Sequence, residues 1–176
     1  MITPSWRRQI QLLVVAFTLL PLSLHAYSIE DLKEGVVRVM AQHEGKTRTG
    51  TGFVLRHRGR TVNIVTAAHV VEGASQVDVE FFTKTGQFFR GKILGLEGGE
   101  SSGLAALVVE GDLPSTIRVL ALNHDMAVRA GDAVTIIGFP QKAGVPWAVT
   151  TSEVIGRRGK AIVFSGAVDG NRGHIL

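Results

Sequence analysis

Between residues 35 and 109 the chain alternates apolar and polar positions with a period of two, and each run closes on glycine or on a polar turn. That period places successive side chains on opposite faces of an extended strand. It predicts strands near residues 35–41, 50–56, 61–66, 76–82, 87–94 and 104–109. A polar link around residues 110–114 follows, and then further strands at 133–137, 147–155 and 161–164. Residues 29–34 are predicted as one helical turn. Short strands at this spacing, separated by Gly-rich turns, predict an all-β barrel or sandwich. No long amphipathic helix, internal repeat or low-complexity tract competes with that pattern.

The N-terminal stretch breaks the pattern. Arg7-Arg8 precede an apolar run over residues 10–24, interrupted only by Gln11, Thr18, Pro21 and Ser23, and the run closes on Leu24-His25-Ala26. A basic start, a short apolar core and a small final residue predict a secretory signal peptide over residues 1–26, cut after Ala26. Pro21 and the shortness of the core argue against a membrane span, which needs about 20 apolar residues. Contact with the membrane is therefore expected only during export, and the mature protein is expected to be secreted or periplasmic. The chain has no cysteine. Export accordingly brings no disulfide framework, and stability must come from the core.

Charge gives little direction. The formal net charge of +4 falls to +2 without Arg7 and Arg8, so the sequence pI of about 9.9 overstates how basic the folded part is. The only dense basic cluster, Arg56-His57-Arg58-Gly59-Arg60, lies between two predicted strands and reads as a solvated hairpin tip. Nucleic acid is not expected as a partner. Glu44-Gly45-Lys46-Thr47 contains a Gly-Lys-Thr, but Met40 stands where a phosphate loop has its first glycine, so this too is predicted as a hairpin turn. Residues 95–100, acidic and Gly-rich, are predicted as a flexible loop.

Candidate chemistry concentrates at Thr66-Ala67-Ala68-His69, directly behind the strand at 61–65. A strand that ends in two small residues and a histidine can present an imidazole at a barrel rim, where a general base is useful. His43, His57, His124 and His174 form no pairing with acids or cysteines at metal-ligand spacing, and no metal or other cofactor is expected.

Five stretches fall in an ordered series: Gly50-Thr51-Gly52-Phe53, Thr66-Ala67-Ala68-His69, Gly103-Leu104-Ala105-Ala106-Leu107, Gly131-Asp132-Ala133-Val134 through Ile137-Gly138-Phe139-Pro140, and Gly170-Asn171-Arg172-Gly173. In this order and spacing, residues 35–171 resemble the bacterial Deg-type trypsin-like serine peptidases of the chymotrypsin fold. The resemblance implies a double β-barrel, with a first barrel over about residues 35–109 and an incomplete second barrel over about 131–176, both within one peptidase domain at residues 27–176. It implies a serine-type endopeptidase ancestry, a polypeptide substrate or peptide ligand, and His69 as the inherited general base. It also implies two losses, because the family's acid position reads Gly103 and its nucleophile position reads Arg172.

Those losses matter because the members of a Ser-His-Asp triad do different things. Serine attacks, histidine takes the proton, and aspartate fixes the histidine tautomer and supports the imidazolium. Glycine has no side chain to accept a hydrogen bond, and an arginine guanidinium stays protonated and is no nucleophile. The segment from Asp169 to Leu176 has no Ser, Thr or Cys that could take over. Ser101, Ser102 and Ser165 are the nearest hydroxyls to the two altered positions, and Glu100 is the nearest acid to Gly103 in sequence. The expectation is an exported homologue without turnover. The alternatives are an active serine endopeptidase with non-standard residues and a non-functional fragment.

Overall fold

A computed structural model describes residues 27–97, 103–123, 127–140, 144–159 and 161–165. The predicted signal peptide, residues 1–26, lies outside them. A single-turn helix, α1 (Ile29–Lys33), leads into β1 (Val36–His43), β2 (Lys46–Arg58) and β3 (Thr61–Ala67). A second short helix, α2 (Ala68–Val71), follows at once, and then β4 (Gln76–Phe81), β5 (Phe88–Leu96) and β6 (Leu104–Glu110). These six strands close into an antiparallel barrel in the order β1-β2-β3-β6-β5-β4, with β4 returning to pair with β1.

The alternation seen in the sequence becomes the inside and outside of that barrel. In β3 it gives Val62, Ile64 and Thr66 inside, all buried, between half-buried neighbours. Val37, Val39, Val54, Val79, Leu107 and Val109 join them at 0% exposure, and Phe81 meets Phe89 edge-on at 5.3 Å between ring centres. Each such side chain contributes about 1.5–3 kcal/mol relative to exposure. The β1–β2 hairpin turns at Glu44 and Gly45, whose φ of 42° and 79° are the left-handed values of a tight hairpin. This is the turn predicted for the Gly-Lys-Thr stretch. The basic stretch at 56–60 likewise forms the β2–β3 hairpin end, turning at Gly59-Arg60.

Several strand ends differ from the sequence reading by one to four residues, and two of them bear on the site. β2 begins at Lys46, four residues before the predicted start, because residues 46–49 continue the ladder with Met40–His43. β5 runs on to Leu96 across a bulge between Ile93 and Gly95, so the first two residues of the supposed loop at 95–100 are strand; residues 98–100 lie outside the described set.

After the barrel, the link returns along its base: Arg118 N–H donates to the Glu34 carbonyl and Leu120 N–H to that of Val54. Arg118 also pairs with Asp31 at 3.2 Å. Asp31 closes a capping box with Ser28, and the Ser28 backbone N–H, its hydroxyl and Arg118 together hold the Asp31 carboxyl below the usual carboxylate range.

β7 (Ala133–Gly138), β8 (Ala148–Arg158) and β9 (Ala161–Phe164) form a separate three-stranded antiparallel sheet, in the order β7-β8-β9. The molecule is thus all-β, with one closed barrel and a second, partial sheet of the double-barrel fold. Trp147 fastens the two together. It is 4% exposed, its indole N–H donates to the Val36 carbonyl at 2.8 Å, and its ring stands edge-on to Phe82 and Phe139 at 5.5 and 4.8 Å. Its φ of 48° is rare for a bulky residue, and these contacts hold it there.

Beneath Phe139, Arg38 reaches across the β1–β4 ladder to Glu80, its register partner. Glu80 is 1% exposed and also accepts the Gly86 N–H at 2.6 Å, while the Arg38 guanidinium lies 6.0 Å from the centre of the Phe139 ring. Removing one member of such a pair leaves the other charge buried alone. Arg38→Ala is therefore expected to destabilise the mature protein by about 3 kcal/mol in urea unfolding. A loss below about 1 kcal/mol would place the pair with ordinary surface ion pairs.

Candidate active site

β3 delivers the Thr-Ala-Ala-His stretch to one end of the barrel. Thr66 is buried and donates its hydroxyl to the Thr51 carbonyl at 2.8 Å, which fixes the last residues of the strand. The chain then turns into α2, whose Ala68, Val70 and Val71 are buried at 1%, 6% and 0%. His69 is the exposed residue of that turn, at the barrel rim. Its imidazole has no hydrogen-bond partner among the described residues.

Of the glycines in the 50–53 stretch, Gly50 makes room for this turn and Gly52 for the core beneath it. A Cβ at Gly50 would come within 2.5 Å of a Val70 methyl, and one at Gly52 within 2.8 Å of an Ile64 methyl. Both glycines stand opposite inward valines of β1, Val39 and Val37, and the absence of a side chain at Gly50 lets α2 settle onto the end of the core. The turn is also held from the β1–β2 hairpin: Arg48 donates to the His69 carbonyl at 3.1 Å, and the His43 ring to that of Val70 at 3.0 Å.

Gly103 reaches the same place from the other side. Its carbonyl accepts the Ala68 N–H at 2.7 Å, so it sits directly against the residue before His69. Position 103 has no room for a side chain: a Cβ there would lie closer than 3.0 Å to the Glu97 carbonyl oxygen and 3.3 Å from the Ala68 Cβ. Glu97 is fixed at both ends, its N–H donating to the Leu104 carbonyl at 2.8 Å and its carboxylate accepting the Leu104 N–H at 3.1 Å. It is thus the main chain of Glu97 that meets position 103, while its carboxylate is engaged by Leu104; Glu100 lies outside the described residues. The register of β5 on β6, with Leu96 opposite Ala105, is what brings Glu97 against Gly103.

Of the remaining candidates, Arg172, Ser101, Ser102, His124 and His174 lie outside the described residues. Ser165 follows β9, where its N–H and hydroxyl both meet the Glu153 carbonyl, at 2.9 and 3.4 Å, and its own carbonyl accepts the Ser152 hydroxyl. Its hydroxyl is engaged in the second sheet. Among the described residues, no group of three His, Cys, Asp or Glu could hold a metal ion.

The profile of the trypsin-like peptidase domain matches residues 50–174. No curated protein matches the sequence. Among solved structures, the active form of the Rv3671c protease from M. tuberculosis superposes with a TM-score of 0.56 at 22% identity, over 72% of this chain and 50% of that one. The serine endoprotease from Yersinia pestis superposes with a TM-score of 0.58 at 23% identity, over 76% of this chain and 46% of that one. At such identities the likeness is one of fold. The chain spans about half the length of either protein.

The crowding at position 103 has a measurable consequence. Gly103→Ala should lower stability by about 1–3 kcal/mol, the usual cost of overpacking, and Gly103→Asp by more. Gly95→Ala is the control, since nothing lies within 4 Å of a Cβ there. Urea midpoints that fall equally little for positions 95 and 103 would mean that the Glu97 carbonyl yields freely.

Proposed function

The chain belongs to the trypsin-like peptidase family, and we propose that it is an exported serine-endopeptidase homologue without turnover, whose rim around His69 binds polypeptide. The observation that carries this reading is the filled space at Gly103. A triad needs a carboxylate there, and the main chain of Glu97 takes up the volume in which that side chain would begin. The sequence adds Arg172 at the nucleophile position, a permanent cation where an acyl group would have to form.

His69 then has no hydroxyl to deprotonate and no carboxylate to fix its tautomer. In enzymes of this type, loss of the nucleophile alone costs on the order of 10⁶ in turnover, and further losses add little because the triad acts as a unit. An exposed imidazole at a barrel rim keeps a donor and an acceptor, and these can still meet peptide N–H and C=O groups. Polypeptide is the ligand class favoured by the family and by the two solved structures, both described as proteases. Export rests on Arg7-Arg8, the apolar run and Ala26, and it places the mature protein in the periplasm or outside the cell. Nucleic acid is no part of this reading, and the membrane enters only during export.

Two measurements test it. N-terminal sequencing of the exported protein is expected to begin near Tyr27; an intact Met1 terminus in the membrane fraction would contradict the signal peptide. A fluorophosphonate probe is expected not to label the mature protein, casein is expected to stay uncut, and Gly103→Asp combined with Arg172→Ser is expected not to restore cleavage. Labelling at Ser165, Ser101 or Ser102 that His69→Ala abolishes would establish the active-enzyme alternative. Absence of cooperative unfolding would favour a non-functional fragment.

A further inference from the structure

α2 has four residues, too few to be stable through its own hydrogen bonds. The last carbonyls of any helix lack intrahelical donors. Here the Val71 carbonyl accepts the Ala74 N–H, which leaves those of His69 and Val70, so the groups that hold these two also decide how the imidazole is presented. Both are bound by side chains from the β1–β2 hairpin, Arg48 on His69 and His43 on Val70. A carbonyl can only accept, so the His43 ring nitrogen facing it carries the hydrogen.

We propose that the extended end of the β1–β2 hairpin is the positioning element for His69, with Arg48 and His43 as its positioning residues. Four observations converge on this. The ladder continues past Gly50 to the His43–Lys46 pair, and that extension carries both donors. Arg48 has no carboxylate partner among the described ion pairs, which leaves its charge directed at the negative end of the turn, where a cation is favourable. Gly50, in the same strand, seats Val70. The Gln42 carbonyl then accepts both the N–H and the hydroxyl of Ser75, at 2.9 and 3.2 Å. The segment following β3 is stitched to one hairpin along its length, and the imidazole projects from the stitched turn.

The proposal rests on the reading of His69 as the imidazole of the site, but its test needs no ligand, so the two can fail separately. The His69 ring resonances are followed by ¹H–¹⁵N NMR in the mature protein. Wild type is expected to give one sharp set. Arg48→Ala is expected to lose it to broadening or doubling while the protein still unfolds cooperatively, and Arg48→Lys, which keeps a cationic donor, to recover it. His43→Ala is expected to act in the same direction and His43→Gln, whose amide can donate to the Val70 carbonyl, to recover it. Unchanged His69 resonances in both alanine variants would overturn the proposal. So would global unfolding in Arg48→Ala without recovery in Arg48→Lys, since the bond would then be structural. Whether His69→Ala weakens peptide binding is a separate measurement that bears only on the proposed function.

Discussion

Closure of the barrel through the β1–β4 ladder is the constraint on which the rest of the molecule depends. An open six-stranded sheet would leave two edges of unpaired backbone groups, and closure removes both. It also fixes which end of each strand lies at which rim. β3 can deliver α2 to only one end, and at that end β5 finishes, β6 begins and the β1–β2 hairpin projects. His69, Glu97, Gly103, His43 and Arg48 are neighbours for that reason alone.

The rim is packed without spare volume. Gly50 gives way to Val70, Gly103 to the Glu97 carbonyl, and Ala68 lies between them. A protein interior at this density transmits the shape of one segment to the next. At position 103 the Glu97 main chain occupies the space that a side chain would need. The chain belongs to the trypsin-like peptidase family, and its barrel carries the histidine-bearing turn with the main chain of Glu97 packed beside it.

The second sheet is attached by chemistry of a different kind. A buried indole N–H on the Val36 carbonyl, the Trp147 ring edge-on to Phe82, and the Arg38 guanidinium under Phe139 join the two units. Aromatic contacts of this geometry contribute beyond their buried area, by about 0.5–1.5 kcal/mol each. They bind the sheet to the outer face of β1, whose inner face belongs to the core, so one strand serves both units.

Sequence alone determined the strands, the two hairpin turns and the position of His69, because each is written in short-range signals: a period of two, glycine where φ is positive, small residues before the rim. The ordered series of short motifs made the family legible, and Gly103 and Arg172 carry the departure proposed for it. Tertiary structure decided what those residues meet. Local patterning gives no register between strands forty or more residues apart, and register is what makes Arg38 face Glu80. In the same way, the β5–β6 ladder, which chain order does not give, brings the main chain of Glu97 against Gly103. The polar alternation of Gln42–Arg48 reads as a solvated hairpin end, yet two of its side chains hold the carbonyls of the histidine turn, since barrel closure brings that end against α2.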